Sequence, residues 1–123
     1  MNLPDLQNDN IAGFLNKEDI IRETAAQIMK DFALFGIELS FSGKIESAYD
    51  ELLEQLVNQI NTLLENDDKI LLSVLYQVDI SERDLRKTKL DFPTYDQVEV
   101  IAHQIIARDL KKVLTRRYFK SKI

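Results

Sequence analysis

The chain contains no cysteine, which excludes disulfide bonds, thiolate metal sites, iron–sulfur clusters and cysteine nucleophiles. Its single histidine, His103, excludes a di-iron site of the helical-bundle type, because that site takes a histidine from each of two helices. The three glycines do not form a phosphate-binding P-loop or a dinucleotide-binding fingerprint. We therefore expect neither a cofactor nor a metal.

The chain also lacks the segments that direct a protein into or across a membrane. Residues 1–16 carry acidic side chains, Asp5 and Asp9, but no basic residue before position 17, unlike a signal peptide. The densest apolar stretch runs from Ile70 to Tyr76, far short of the ~20 residues that a spanning helix needs. Together with the absence of cysteine, this pattern predicts a cytoplasmic protein without a membrane partner.

What the chain does contain is enough apolar material for one core. The hydrophobic fraction is 45% over 123 residues, and no Gly/Ser-rich linker divides them. We predict a single domain spanning residues 1–123, with loose order over 1–15 and fraying over 119–123.

Apolar residues recur at helical spacing along most of the chain, which predicts an all-α protein. We expect a compact bundle of four main helices and one short helix, at about 17–35, 44–65, 68–77, 82–87 (the short one) and from 95 into the C-terminal region. The third helix is apolar on every side, which predicts a position at the centre of the bundle.

Helix start and stop signals support these boundaries. The predicted N-caps are Asn16, Asp67 and Ser81, while Gly36 supplies a left-handed stop. Thr94 and Gln97 have the spacing of a capping box for the last helix.

Residues 37–42 have a different period. Ile37, Leu39 and Phe41 alternate with polar residues, which predicts a short extended segment. Such a segment could pair with another extended stretch, pair with a second copy of the protein, or connect two helices while its apolar side chains fill the core. We favour the connector.

Three stretches give the chain a resemblance to small all-helical bacterial proteins that are themselves uncharacterised. They are DFALFGIELSFSG (31–43), ILLSVLYQVDIS (70–81) and DLKKVLTRRYF (109–119). The resemblance implies a helical fold and no particular function.

The charge is divided between the two ends of the chain. Residues 108–123 carry seven Lys and Arg against one Asp, a net charge of +6, whereas residues 1–107 have a net charge of −11. The basic end predicts an interaction surface, formed by Lys111, Arg116, Arg117, Tyr118, Phe119, Lys120 and Lys122. It could bind nucleic acid through phosphate contacts and base stacking, or lie against an acidic stripe of the same or a neighbouring chain.

Three polar residues of the last helix are candidates for structural pairs or for chemistry. Glu99 lies one turn before His103 and could orient it as a general base, although a histidine satisfied at the edge of the core is the more common arrangement. Asp109 projects toward apolar positions, so we expect a structural ion pair with Arg116, Lys112, Arg83 or Arg86.

These observations favour a non-catalytic cytoplasmic domain that acts through a protein partner or a second copy of itself. The alternatives are a nucleic-acid-binding accessory protein, which the acidic body disfavours, and an enzyme that uses Glu99 and His103.

Overall fold

The computed structural model describes residues 5–121, which fold into helices without a β-strand. The described helices are α1 (Ile11–Phe14), α2 (Glu18–Ala33), α3 (Ala48–Asn66), α4 (Asp68–Val78), α5 (Glu82–Asp91) and α6 (Gln97–Ser121). The predicted all-α class is confirmed. No helix in this part of the chain is long and apolar enough to cross a bilayer.

Helix α6 forms the centre of the bundle. It packs against α2, α3, α5 and α4, and every side chain from Val100 to Ile106 is buried. The prediction that the third main helix is central is wrong, because Leu72 and Tyr76 of α4 are 66% and 89% exposed. One side of α4 is sufficient to pack against its neighbours, whereas the longer α6 is enclosed by four helices.

The ends of the first helices show which local signals the backbone uses. Lys17, not Asn16, is the N-cap of α2, and it makes no side-chain capping bond. The predicted stop is confirmed: Gly36 has φ +75°, and the Ile37 N–H donates to the Phe32 carbonyl at 3.2 Å, as in a Schellman motif.

Helix α3 begins at Ala48, four residues later than predicted, because the chain is still turning before it. Gly43 has φ +85°, and the Glu51 carboxylate accepts from both the backbone N–H and the hydroxyl of Ser42 at 2.7 and 2.6 Å. These contacts hold the preceding residues outside the helix.

The caps of α4 and α5 are confirmed. Asp67 accepts from the Ile70 N–H at 3.3 Å, and Ser81 accepts from the Asp84 N–H at 3.1 Å. Helix α5 continues to Asp91, so it is longer than the predicted 82–87.

A capping box starts α6, but two residues later than predicted. The Asp96 carboxylate accepts from the Glu99 N–H at 2.8 Å, and the Glu99 carboxylate accepts from the Asp96 N–H at 3.0 Å. The predicted pair of Thr94 and Gln97 is therefore wrong. Packing explains the shift, because the Tyr95 ring stacks on Phe92 at 4.8 Å and keeps this part of the chain in a turn.

The segment over residues 37–42 is a connector, as favoured. Ile37, Leu39 and Phe41 are partly buried against the core, while the polar residues between them are exposed. No other strand pairs with it within the described residues.

Residues near both ends of the described chain contribute to the hydrophobic core. Ile11 and Leu15, in the region for which we expect loose order, are 1% and 0% exposed and belong to the core. At the other end α6 continues to Ser121. Residues 1–4, 122 and 123 lie outside the described residues, and with them Lys122 of the predicted interaction surface.

Replacing Asp96 with alanine should destabilise the protein by about 1 kcal/mol, because the first turn of α6 then loses its capping acceptor. Urea unfolding would measure this change. Thr94→Ala is the matched control and should change stability by less than about 0.5 kcal/mol. A larger loss of stability in Thr94→Ala than in Asp96→Ala would show instead that Thr94 caps α6.

Candidate interaction site

The basic end of α6 lies along α2 of the same chain. Arg117 donates to Asp19 at 2.9 Å and to Glu23 at 2.5 Å, while Arg116 donates to the Gln27 side-chain carbonyl at 2.6 Å. The three acceptors are spaced four residues apart, so they share the face of α2 that meets α6. Arg117 therefore docks onto an acidic stripe of this chain, which is one of the arrangements that the sequence left open.

These contacts position α6 more than they stabilise it. The hydrogen bond from Arg117 lowers the pKa of Asp19, yet the Asp19 side chain is 66% exposed. Ion pairs this exposed contribute little to stability, because water and salt screen them.

The other predicted surface residues are only partly engaged. Lys111, Arg116, Phe119 and Lys120 are exposed. The Tyr118 ring is partly buried and meets Phe119 edge to face, with ring centroids 5.3 Å apart.

An open groove of about 440 Å³ lies between α2 and α6. Its lining residues are Gln27, Lys30, Arg108, Lys111, Lys112, Thr115 and Arg116. Five of them are cations and none is a carboxylate, although the whole protein has a net charge of −5. The groove is therefore a local positive patch on an acidic molecule.

Several donors in the groove are unused. Among residues 5–121, the side-chain ammonium groups of Lys30 and Lys111 have no hydrogen bond or ion pair, and Arg108 Nε is buried without an acceptor. The Arg108 guanidinium also donates to Asp79 at 3.2 Å, which holds the side chain across the groove. The exposed ammonium groups of Lys30 and Lys111 can therefore bind an anion without breaking a contact inside the protein.

The sequence analysis missed part of this groove. The four-residue spacing of Arg108, Lys112 and Arg116 places them on one face of α6, and this signal was present in the sequence. Lys30 could not be found in this way, because it reaches the groove only through the packing of α2 on α6.

A buried pair of carboxyl groups lies beneath the groove. Asp109 of α6 and Asp31 of α2 are 0% and 2% exposed. Lys112 Nζ lies 3.3 Å from Asp109 Oδ1 and 3.7 Å from Asp31 Oδ2, and Gln27 donates to Asp31 Oδ1 at 3.0 Å. Lys112 is among the partners that we predicted for Asp109. Asp31 is not, because no local sequence pattern places it near Asp109.

The charge balance of this cluster requires a proton. Two buried carboxylates and one ammonium would leave a net negative charge in a medium that solvates it poorly. Burial and the adjacent Asp31 raise the pKa of Asp109, while Lys112 acts in the opposite direction. One shared proton makes the cluster neutral and gives the carboxyl oxygens a hydrogen bond that they otherwise lack among the described residues.

His103 belongs to a second buried polar cluster, in which it is 1% exposed. Asn8 donates to the Asp91 carboxylate at 2.7 Å, so the opposite atom of the Asn8 amide, Oδ1, is the acceptor that lies 3.1 Å from His103 Nε2. His103 therefore carries its proton on Nε2 and accepts from the Tyr49 hydroxyl at Nδ1 over 2.6 Å. Burial, with the neighbouring Tyr95 hydroxyl, raises the pKa of Tyr49 and keeps it a donor.

Glu99 does not orient His103 as the sequence suggested. Its carboxylate caps α6 by accepting from the Asp96 N–H, and both ring nitrogens of His103 have other partners. Burial lowers the pKa of His103 to about 4, so the ring is neutral at physiological pH. Within residues 5–121 no group of three metal-ligating side chains is present either.

Comparison with known proteins gives no match: no family model, curated protein or solved structure is significantly similar to the chain. The assignment of a site therefore depends on geometry and charge. Both indicate the groove between α2 and α6.

His103 should remain neutral well below its ordinary pKa, because protonation would charge a sealed ring. The single imidazole signal in ¹H–¹³C NMR should show a midpoint near pH 4 in the folded protein and near 6.5 in urea. The folded pKa lies below the unfolded one, so this residue's contribution to stability is lost as pH falls from about 6.5 toward 4. A folded midpoint near 6.5 would contradict this burial.

Asp109 should have the opposite effect on the pH dependence of stability. Its folded pKa lies above the unfolded one, so wild-type stability declines as pH rises through the range in which only the folded chain keeps the proton. Asp109→Asn mimics the protonated acid, and its stability relative to wild type should increase between pH 5 and pH 8.5 in urea titrations. Asp79→Asn, at an exposed carboxylate, is the matched control and should show no such trend.

Proposed function

We propose that this chain is a non-catalytic helical interaction domain that binds an acidic segment of a protein in the groove between α2 and α6. The observation that supports this proposal is the set of five cations around an open groove without a lining carboxylate.

The spacing of the cations favours a helical segment. Arg108, Lys112 and Arg116 follow one another every four residues, a rise of about 6 Å per step along α6. Glutamates spaced four residues apart on a partner helix have the same separation. Arginine and lysine side chains can then pair with successive carboxylates at the rim.

The charge of the remaining protein disfavours a long polyanion. Residues 1–107 have a net charge of −11, and acidic side chains such as Asp50 and Glu54 are exposed along α3. A nucleic acid that extended past the groove would approach these carboxylates and be repelled. A short acidic segment that stays within the groove avoids this repulsion.

A second copy of the chain can supply such a segment. Asp50 and Glu54 are exposed and four residues apart on α3, which matches the spacing of the groove. Light scattering would show a mass above 14.3 kDa if the second copy is the partner. A strictly monomeric mass leaves a different acidic protein as the partner.

Reversing the charge of Lys30 and Lys111, the two groove cations without a side-chain partner, should weaken binding of an acidic helix. The probe is a fluorescent peptide of about 16 residues with glutamate at every fourth position, long enough to form a helix. Fluorescence anisotropy at low salt should show binding to wild type and at least about tenfold weaker binding to Lys30→Glu/Lys111→Glu, since each lost pair removes about 0.5–1 kcal/mol and each new one repels.

Lys44→Glu/Lys69→Glu is the matched control. It makes the same change in net charge at two exposed lysines outside the lining of the groove, and it should bind nearly as wild type does. Equal loss in both variants would show that only overall charge matters. Tighter binding of a single-stranded oligonucleotide than of the peptide would instead support the nucleic-acid alternative.

A further inference from the structure

Lys112 belongs to two environments at once. Its side chain is 30% exposed and lines the groove, yet its ammonium lies within 3.7 Å of both buried carboxyl groups. Lys112 can therefore pair either with an anion in the groove or with the buried carboxyl groups.

An anion in the groove competes for this ammonium. If Lys112 turns toward a bound carboxylate, Asp31 and Asp109 keep one shared proton between them and retain a net negative charge away from water. Such a charge is costly in the interior, and a second proton removes it. Asp31 Oδ2 and both carboxyl oxygens of Asp109 accept no hydrogen bond among the described residues, so the pair can take up that proton once its ion pairs with Lys112 are lost.

We propose that binding in the groove is coupled to proton uptake: a carboxylate of the acidic segment takes the Lys112 ammonium, and a proton from solvent binds the Asp31–Asp109 pair. Binding is then tighter at lower pH. This inference rests on the proposed function, because it concerns the same groove and the same class of ligand.

The charged groups near the pair come from three parts of the fold. Asp31 of α2 and Lys112 of α6 contact Asp109. At the rim, Lys30 is contributed by α2, and Arg108 is held by Asp79 at the end of α4. Helices α3 and α5 pack against another part of α6, away from the acid pair. There Tyr49 of α3 bonds His103, and Thr88 of α5 bonds Gln104. Asn8 bonds both Thr88 and Asp91 of α5.

The pH range from 6 to 8.5 isolates this effect. The glutamates of the probe are ionised throughout it, and His103 is neutral. We would measure peptide affinity across this range, together with binding enthalpy in two buffers of different ionisation enthalpy. Wild type should bind more weakly as pH rises, by up to about tenfold per unit for one linked proton, with net uptake of up to one proton.

Two variants test the assignment to these residues. Lys112→Met keeps the apolar stem and removes the shared ammonium, so it should bind the peptide more weakly and without pH dependence. Asp31→Asn/Asp109→Asn removes the proton acceptors and frees Lys112, so it should bind more tightly than wild type at pH 8.5, again without pH dependence. Circular dichroism at pH 6 would confirm that each variant is folded.

The outcomes separate this inference from the proposed function. A peptide that binds wild type with a pH-independent affinity and no proton uptake would overturn the coupling and leave the groove as the binding site. Retention of the wild-type pH dependence in Lys112→Met would also overturn it. A peptide that does not bind at any pH would reject both proposals.

Discussion

The enclosure of α6 is the constraint on which the remaining structure depends. A helix buried on nearly all sides removes its polar side chains from water, and each must then find a partner in a neighbouring element. His103 meets Tyr49 of α3 and Asn8 of the N-terminal segment, while Asp109 meets Asp31 of α2. These partners come from different parts of the chain, so the polar groups help to determine which element lies where.

The two polar clusters satisfy this constraint with opposite protonation states. His103 loses its charge on burial, because a neutral imidazole can donate through one nitrogen and accept through the other. The pair of Asp31 and Asp109 instead shares a proton and keeps one ammonium, and that ammonium also lines the groove. The His103 cluster lies within the core, whereas the Asp31–Asp109 cluster contacts the surface groove through Lys112.

The helical class, the stop at Gly36 and the caps at Asp67 and Ser81 were predictable, because each depends on residues within a few positions. The start of α6 was not, since Thr94–Gln97 and Asp96–Glu99 have equivalent spacing and sequence cannot rank them. The choice depends on the stacking of Tyr95 on Phe92. The prediction that α4 is central failed because apolar residues on every side of a helix do not determine how many other helices pack against it.

By itself, the sequence determined the local elements and the division of charge: helical periodicity sets which residues share a face, and short-range capping sets where α2 ends and where α4 and α5 begin. The tertiary structure decided where the basic end lies and what it forms. Arg117 meets α2 within the same chain, Lys30 joins the cations of α6, and Asp31 reaches Asp109. Electrostatic partners far apart in sequence meet only when helices pack, so the groove and its buried acid pair are properties of the fold.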